Sequence, residues 1–302
     1  MSRYRFIEAE GAGGHSVNRA CVVINVSRAA YYEWQKPEPS RRAQEDQELA
    51  EKIKVIHTGS RRTYGAPRVH QDLRQRGVWC GRKRVERLMR ELDLVGRGPK
   101  PRKRTTIPEP GAAAEVMDLV GRRFQPGELA LNQCWVGDIT YVRTWEGWLY
   151  VASVIDLASR RVVGWAMAEH MRAELVMDAL EMAIGLRGPA AGLIFHSDRG
   201  SQYTSRRFTE LLASHGIEQS LSRPRQCWDN AVAESWFSTL KVELIHRQVW
   251  ATRAAARQAI VEFIEVFYNR QRLHSSLGYV APATYESCLA AARRIPPIGI
   301  AV

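Results

Sequence analysis

Three acids sit where a folding chain has little reason to put them. Asp138 interrupts Cys134-Trp135-Val136-Gly137-Asp138-Ile139-Thr140-Tyr141-Val142, a run that reads as an apolar strand. A carboxylate there carries a desolvation cost unless something compensates it. Asp198 directly follows Leu193-Ile194-Phe195-His196-Ser197, at the carboxyl end of a second buried strand, where open α/β sheets place ligands. Glu234 falls in a helix that starts after Trp228-Asp229-Asn230, with Asp229 as its N-cap. On that helix Glu234, Ser238 and Lys241 share one face, while Ala233, Trp236, Phe237, Leu240 and Leu244 occupy another. If the apolar face meets the strand ends, the three carboxylates converge. Converging carboxylates repel, so at neutral pH they share protons or bind a cation. Oxygen ligands select hard divalent ions, Mg²⁺ or Mn²⁺, where zinc would want Cys or His. Two such ions can activate an attacking oxygen and stabilise a leaving one in phosphoryl transfer.

Each acid alone is weak evidence, because a lone Asp in a strand is structural more often than catalytic. Asp156, in Val154-Ile155-Asp156-Leu157 near a hairpin, reads as structural. Glu243 and Asp178 read as solvated helix positions. His196 lies two residues before Asp198 and could face the same side of the strand. It is equally a supporting hydrogen-bond partner or a plain structural histidine.

The elements that would position these groups follow from period and punctuation. Residues 1–16 are Gly-rich and read as weakly ordered. Residues 17–36 form a short helical unit, with Ser27 as an N-cap and Pro37 and Pro39 ending it. Residues 41–57 form a polar helix. A helix–turn–helix candidate follows: Pro67–Gln75, a turn over Gly77–Gly81, then Arg82–Leu92, in which Val85, Leu88, Met89 and Leu92 make a buried stripe. Three strands, Cys134–Arg143, Leu149–Leu157 and Arg161–Ala168, are joined by short connections and pair antiparallel. Helix Ala173–Leu186, strand Gly192–Ser197, helix Ser205–Ser214, strand Ile217–Ser222 and helices Asn230–Ile245 and Ala254–Asn269 complete the pattern. The fold class is α/β, a mixed five-stranded sheet with helices on its faces. The expected organisation is an N-terminal helical region (1–58), a helix–turn–helix-like DNA-binding region (59–95), a basic linker (96–130), a catalytic core (131–285) and a tail (286–302).

Charge points to the substrate. The formal net charge is +12, and residues 59–104 hold fifteen Arg and Lys against four Asp and Glu. Such a concentration favours a polyanion, and nucleic acid is the commonest. Arg82, Lys83, Arg84 and Arg87 are the expected phosphate contacts. Cysteines at 21, 80, 134, 227 and 288 form neither a disulfide framework nor a zinc pattern and read as free thiols in a reducing cytosol. No apolar stretch approaches membrane-spanning length, and no signal-peptide core follows Met1. A cytoplasmic, nucleoid-associated protein is expected.

At the three acids the sequence resembles the DDE transposases and integrases of the retroviral-integrase superfamily. Between Asp198 and Glu234 lie 35 residues, and Lys241 follows Glu234 by seven. The words Trp135–Tyr141, His196–Tyr203, Cys227–Ala231, Tyr268-Asn269-Arg270 and Arg272–Tyr279 resemble the second-frame product (OrfB) of the insertion-sequence-three family, as does the run from Arg62 to Leu94. The resemblance covers roughly residues 20–285. It implies an RNase H-like core in which Asp138, Asp198 and Glu234 hold two metal ions. It further implies that Lys241 contacts DNA near the site, with Gln202, Tyr203 and Asn230 positioning the strand. The implied activity is metal-dependent end cleavage and strand transfer by a homo-oligomer on DNA. A first-frame protein or frameshift fusion would supply a reader and a zipper, since no sustained heptad repeat and no zinc module occur here. Two other readings stand beside it: a DNA-binding regulator of transposition without catalysis, and an RNase H-like nuclease that cannot join strands.

Overall fold

The computed structural model describes residues 2–35, 40–98, 127–222 and 231–294. Three short helices open the chain: α1 (Arg3–Ala12), α2 (Val17–Val23) and α3 (Arg28–Gln35). They close around Ile7, Ala20, Cys21 and Tyr31. The expectation of weak order before residue 17 is corrected here. Ser2 caps α1 by accepting from the N–H of Arg5 at 3.4 Å, and Ile7 gives the helix a fully buried anchor. The glycines that suggested disorder cluster at its end, where Gly14 takes φ +84°. The Ser27 hydroxyl accepts from the N–H of Ala30 at 3.1 Å, the expected cap of α3.

Helices α4 (Arg41–Gly59), α5 (Ala66–Gln75) and α6 (Arg82–Glu91) form the next unit. Leu49, Ile53 and Ile56 of α4 pack with Val69 and Leu73 of α5 and with Val85, Leu88 and Met89 of α6. The polar helix α4 thus belongs to the helix–turn–helix-like body rather than preceding it. Its three apolar residues, at spacings of four and three, are enough to seat it. The basic linker assigned to 96–130 falls mostly outside the described residues.

The sheet contains β1 (Cys134–Thr144), β2 (Gly147–Asp156), β3 (Val162–Ala168), β4 (Ile194–Ser197) and β5 (Glu218–Leu221) in the order β3-β2-β1-β4-β5. β1–β2 and β2–β3 are antiparallel, whereas β4 runs parallel to both β1 and β5. This is the mixed five-stranded sheet expected from the order of short and long connections. Helices α7 (Ala173–Arg187) and α8 (Arg206–Ser214) cover one face, around Trp135, Phe195 and Phe208. Helices α9 (Ala231–Glu243) and α10 (Arg253–Glu262) cover the other, around Val136, Trp236 and Phe263. The expected long helix 254–269 continues past α10 as a π-helical stretch, Phe263–Tyr268, and α11 (Pro282–Arg294) follows.

The helix–turn–helix-like unit is fastened to this core. Tyr64 accepts from the N–H of Leu273 at 2.7 Å and donates to the carbonyl of Gln271 at 3.3 Å. Arg68 donates to the Leu273 carbonyl at 3.0 Å, and Gln75 to that of Tyr279 at 2.7 Å. Beneath them the buried Glu243 accepts two bonds from Arg272, at 2.9 and 2.7 Å, with Arg68 3.9 Å away. Glu243 therefore is not the solvated position expected. It stands three residues past Leu240 and seven past Trp236, on the buried stripe of α9, and is tolerated there because Arg272 neutralises it.

Candidate active site

β4 pairs with β1 only over Cys134–Val136. Beyond Val136 the two strands part, and the gap at their carboxyl ends holds the candidate site. Gly137 comes first. A Cβ there would lie 2.5 Å from the Phe195 ring and 3.3 Å from that of Tyr203, so only glycine lets β1 lie flat on these rings. Asp138 follows, half-buried, opposite Ser153 of β2. The Ser153 hydroxyl accepts from the Trp236 indole at 3.1 Å, which seats α9 beneath this point of the sheet. Asp198 lies just past β4, exposed, its Oδ1 accepting from the N–H of Gly200 at 2.9 Å. Glu234 is exposed in the first turn of α9, while Ala233, Trp236, Phe237 and Leu240 bury the other side of that helix.

Electrostatics bring the acids together. Burial pushes the Asp138 carboxyl up to about 7, and the neighbouring Asp198 and Glu234 carboxylates push the same way. A 2.8 Å bond from the N–H of Ile139 and the charge of Lys241 oppose them. Tyr203 sits behind the pair, its phenol raised far above the usual value by burial and then by Asp138 and Asp198. Among the described residues, no group of three or more His, Cys, Asp and Glu side chains is drawn together closely enough to hold a metal ion. The three acids share a field without touching one another through a common centre.

The other expected site residues divide. Lys241 has its amino group 5.5 Å from the centre of the Tyr141 ring, and its charge reaches Asp138. Gln202 is half-buried and donates to the carbonyl of Met171 at 2.8 Å. Tyr203 is 2% exposed and packs on Phe195 and Phe208, with ring centres 6.1 and 5.4 Å away. Contact with DNA, expected of Tyr203, is therefore corrected to support from behind. Asn230 lies outside the described residues.

On α6, Arg82 pairs with Glu86 at 2.8 Å and Arg84 with Asp46 at 2.6 Å. Arg87 pairs with Asp46 at 2.6 Å and with Glu91 at 2.8 Å. Lys83 is exposed. His196, fully buried, bridges the hydroxyls of Ser220 at 2.8 Å and Ser222 at 3.2 Å, which makes it a tie between β4 and the end of β5. Asp156 is structural as expected, accepting from Ser159 N–H and Oγ at 2.8 Å each and from Asn132 N–H at 2.7 Å.

Residues 129–227 match the family described as integrase core domain, residues 215–282 a second integrase core domain family, and residues 44–104 an HTH-like domain. A 31 kDa protein of insertion element IS600 from Shigella sonnei is 43% identical, over 88% of this chain and 97% of its own length. The transposase InsF of insertion sequence IS3A from Escherichia coli K12 is 38% identical, over 94% of this chain and 98% of its own. The chain belongs to the IS3-family transposases. It is an insertion-sequence transposase, a polynucleotidyl transferase of the DDE type that acts on DNA. The transposase of IS904 from Lactococcus lactis, 40% identical over 82% of this chain and 97% of its own, agrees. The catalytic core of HTLV-2 integrase, solved with magnesium, is 20% identical over 49% of this chain and 93% of its own, at a TM-score of 0.38, a likeness too loose to add to the sequence match. The HTH-like match begins inside α4, in keeping with the packing of α4 on α5 and α6. Among the described residues no helix is long and apolar enough to cross a membrane.

Proposed function

We propose that Asp138, Asp198 and Glu234 are the catalytic carboxylates of this transposase and hold two divalent cations, Mg²⁺ or Mn²⁺. The observation that carries the reading is placement: Asp138 on β1 and Asp198 just past β4 flank the gap where these strands part, Glu234 stands in the first turn of α9, and burial together with the charges of Asp198 and Glu234 raises the Asp138 carboxyl. The donor set fits a hard cation: three carboxylates, of which two are exposed to solvent and one is half-buried. Bound cations would activate the attacking oxygen and take up charge on the leaving one.

The chain's own residues supply the rest. Asp138, whose burial otherwise favours the protonated form, would be favoured in its ionised form by bound cations. Tyr203 and Phe195 hold β1 flat behind it, and Trp236 fixes the helix that carries Glu234. Lys241 meets the phosphate backbone beside the site. Water first attacks a phosphodiester at the element's end and frees a 3′ hydroxyl. That hydroxyl then attacks a second phosphodiester, joining the strands without a covalent protein–DNA intermediate. Bringing two ends together calls for a homo-oligomer on DNA. A first-frame protein or frameshift fusion would add end recognition, and the work would be done on the bacterial nucleoid.

The test is cleavage and joining of duplexes carrying the element's ends, with and without Mg²⁺. Asp138→Asn, Asp198→Asn and Glu234→Gln should each abolish both steps and leave DNA affinity nearly intact. Activity within a few-fold of wild type in any of them refutes the role given to that residue.

A further inference from the structure

We propose that the β1–β2 hairpin is a stacking platform for unpaired nucleotides of the DNA substrate. Register places its residues. Tyr141 pairs with Tyr150 and Arg143 with Trp148. Directly opposed residues of an antiparallel pair share a face, as do residues two apart on one strand. Tyr141, Arg143, Trp148 and Tyr150 therefore line one side of the hairpin. Tyr141 is 56% exposed, Trp148 45% and Trp145, in the turn, 78%. The Tyr141 and Trp148 rings meet edge-on, with centres 5.0 Å apart at 81°. A cluster of large exposed rings on a soluble fold marks a binding surface.

This exposure is not looseness. The Thr144 hydroxyl donates to the Gly147 carbonyl at 2.7 Å, and the Trp145 N–H to the Trp250 carbonyl at 3.0 Å. From α10, the N–H of Arg253 donates to Glu146 at 2.8 Å and its guanidinium to the Trp148 carbonyl at 3.1 Å. The hairpin is pinned at both sides of its turn while its rings remain open.

Charge selects the occupant. Arg143 is exposed among the rings, and the Lys241 amino group lies 5.5 Å from the centre of Tyr141. Cations interleaved with aromatic faces suit a polyanion that also offers flat apolar faces, and that is single-stranded nucleic acid. A duplex keeps its base faces stacked inside, so only unpaired nucleotides can use the platform. The position is continuous with the candidate site. Tyr141 stands three residues beyond Asp138 on β1, roughly 10 Å by strand rise and on the opposite face of the strand; Lys241 links the two, its amino group near the Tyr141 ring and its charge reaching Asp138. The inference rests on the catalytic reading of Asp138 only for where these nucleotides come from.

The experiment uses the full chain in EDTA, so that binding is read without chemistry. Fluorescence anisotropy compares a short single-stranded oligonucleotide with a blunt duplex of random sequence. The pair Tyr141→Ala with Trp148→Ala should weaken single-strand binding roughly tenfold or more and change duplex binding less than about twofold. The conservative pair Tyr141→Phe with Trp148→Phe keeps the rings and should retain single-strand affinity. As a check on the intact surface, bases stacked on the platform should quench Trp fluorescence more in wild type than in Trp145→Phe with Trp148→Phe. Equal losses on both DNAs, or no loss on either, overturn the proposal. So does a shift from oligomer to monomer in the Ala pair with single-strand binding unchanged, which would make the hairpin a protein contact. Failure of the catalytic reading shows elsewhere, as cleavage by Asp138→Asn.

Discussion

Asp138→Asn should stabilise the metal-free protein, and more so at high pH. In the folded state burial, with the Asp198 and Glu234 carboxylates, pushes its carboxyl up to about 7, against 3.8 for a free side chain. Between those values the folded chain holds a proton that the unfolded chain has released, so stability falls as pH rises through the window. Three pH units correspond to about 4 kcal/mol, complete above pH 7 and absent below roughly pH 4. At pH 5 slightly under half of it is already incurred, because the unfolded carboxyl has ionised there. The gap between variant and wild type should thus widen by about 2–3 kcal/mol from pH 5 to pH 8. Asparagine keeps the shape and removes both the desolvation cost and the repulsion from Asp198 and Glu234. Thermal melts in EDTA at the two pH values read this as a widening of roughly 5–10 °C. The reasoning is refuted if the two proteins melt with the same separation at both, since Asp138 would then titrate as an ordinary surface acid.

Mg²⁺ should raise the wild-type melting temperature, by about 2.7 kcal/mol of stability at a hundredfold excess over its Kd. The effect should be larger at pH 8 than at pH 6, because cation and proton compete for Asp138. Differential scanning fluorimetry that finds the same rise in Asp138→Asn would place the ion elsewhere. Glu243→Gln leaves Arg272 charged and buried and should cost about 3–5 kcal/mol in urea titrations; a cost below about 1 kcal/mol would mean that water reaches the pair. On α6, Lys83→Ala alone should flatten the salt dependence of duplex binding by roughly 0.9 units of slope. Arg82→Ala should do less, because Glu86 already engages that side chain, and salt titrations of the two variants that give the reverse order would show that the ion pair opens on DNA.

The sheet was legible because its strands are apolar runs with short turns, and the two parallel strands because helices separate them. The acids stood out for the same reason: Asp138 and Asp198 break or end apolar runs, so their cost is visible without a structure. Glu243 was misread because its partner, Arg272, is 29 residues away and helical spacing alone makes a charge look solvated. Helix α1 was missed because one buried Ile and one Ser cap are a faint signal beside the three glycines at 11, 13 and 14. Arg84 and Arg87 of α6 looked free because Asp46 belongs to another helix. Tyr203 was placed at the DNA by the family resemblance, whereas its ring area decided its place among Phe195 and Phe208. What sequence hides for Glu243, Arg84 and Arg87 is a partner remote along the chain.

The fastening of Tyr64, Arg68 and Gln75 to residues 271–279 limits how this transposase can be cut into pieces. A fragment starting at Gly127 would keep the whole sheet and all three acids. It would also leave the N–H of Leu273 without the Tyr64 oxygen and strip Arg68 from the neighbourhood of Glu243. The apolar wall formed by Leu273, Tyr268 and Phe267, continuous with the packing of α4–α6, would face water. Such a fragment should be sticky and poorly soluble even though its family match is complete. Expression boundaries for this chain are better drawn ahead of α4 than in the segment between the helical unit and the sheet.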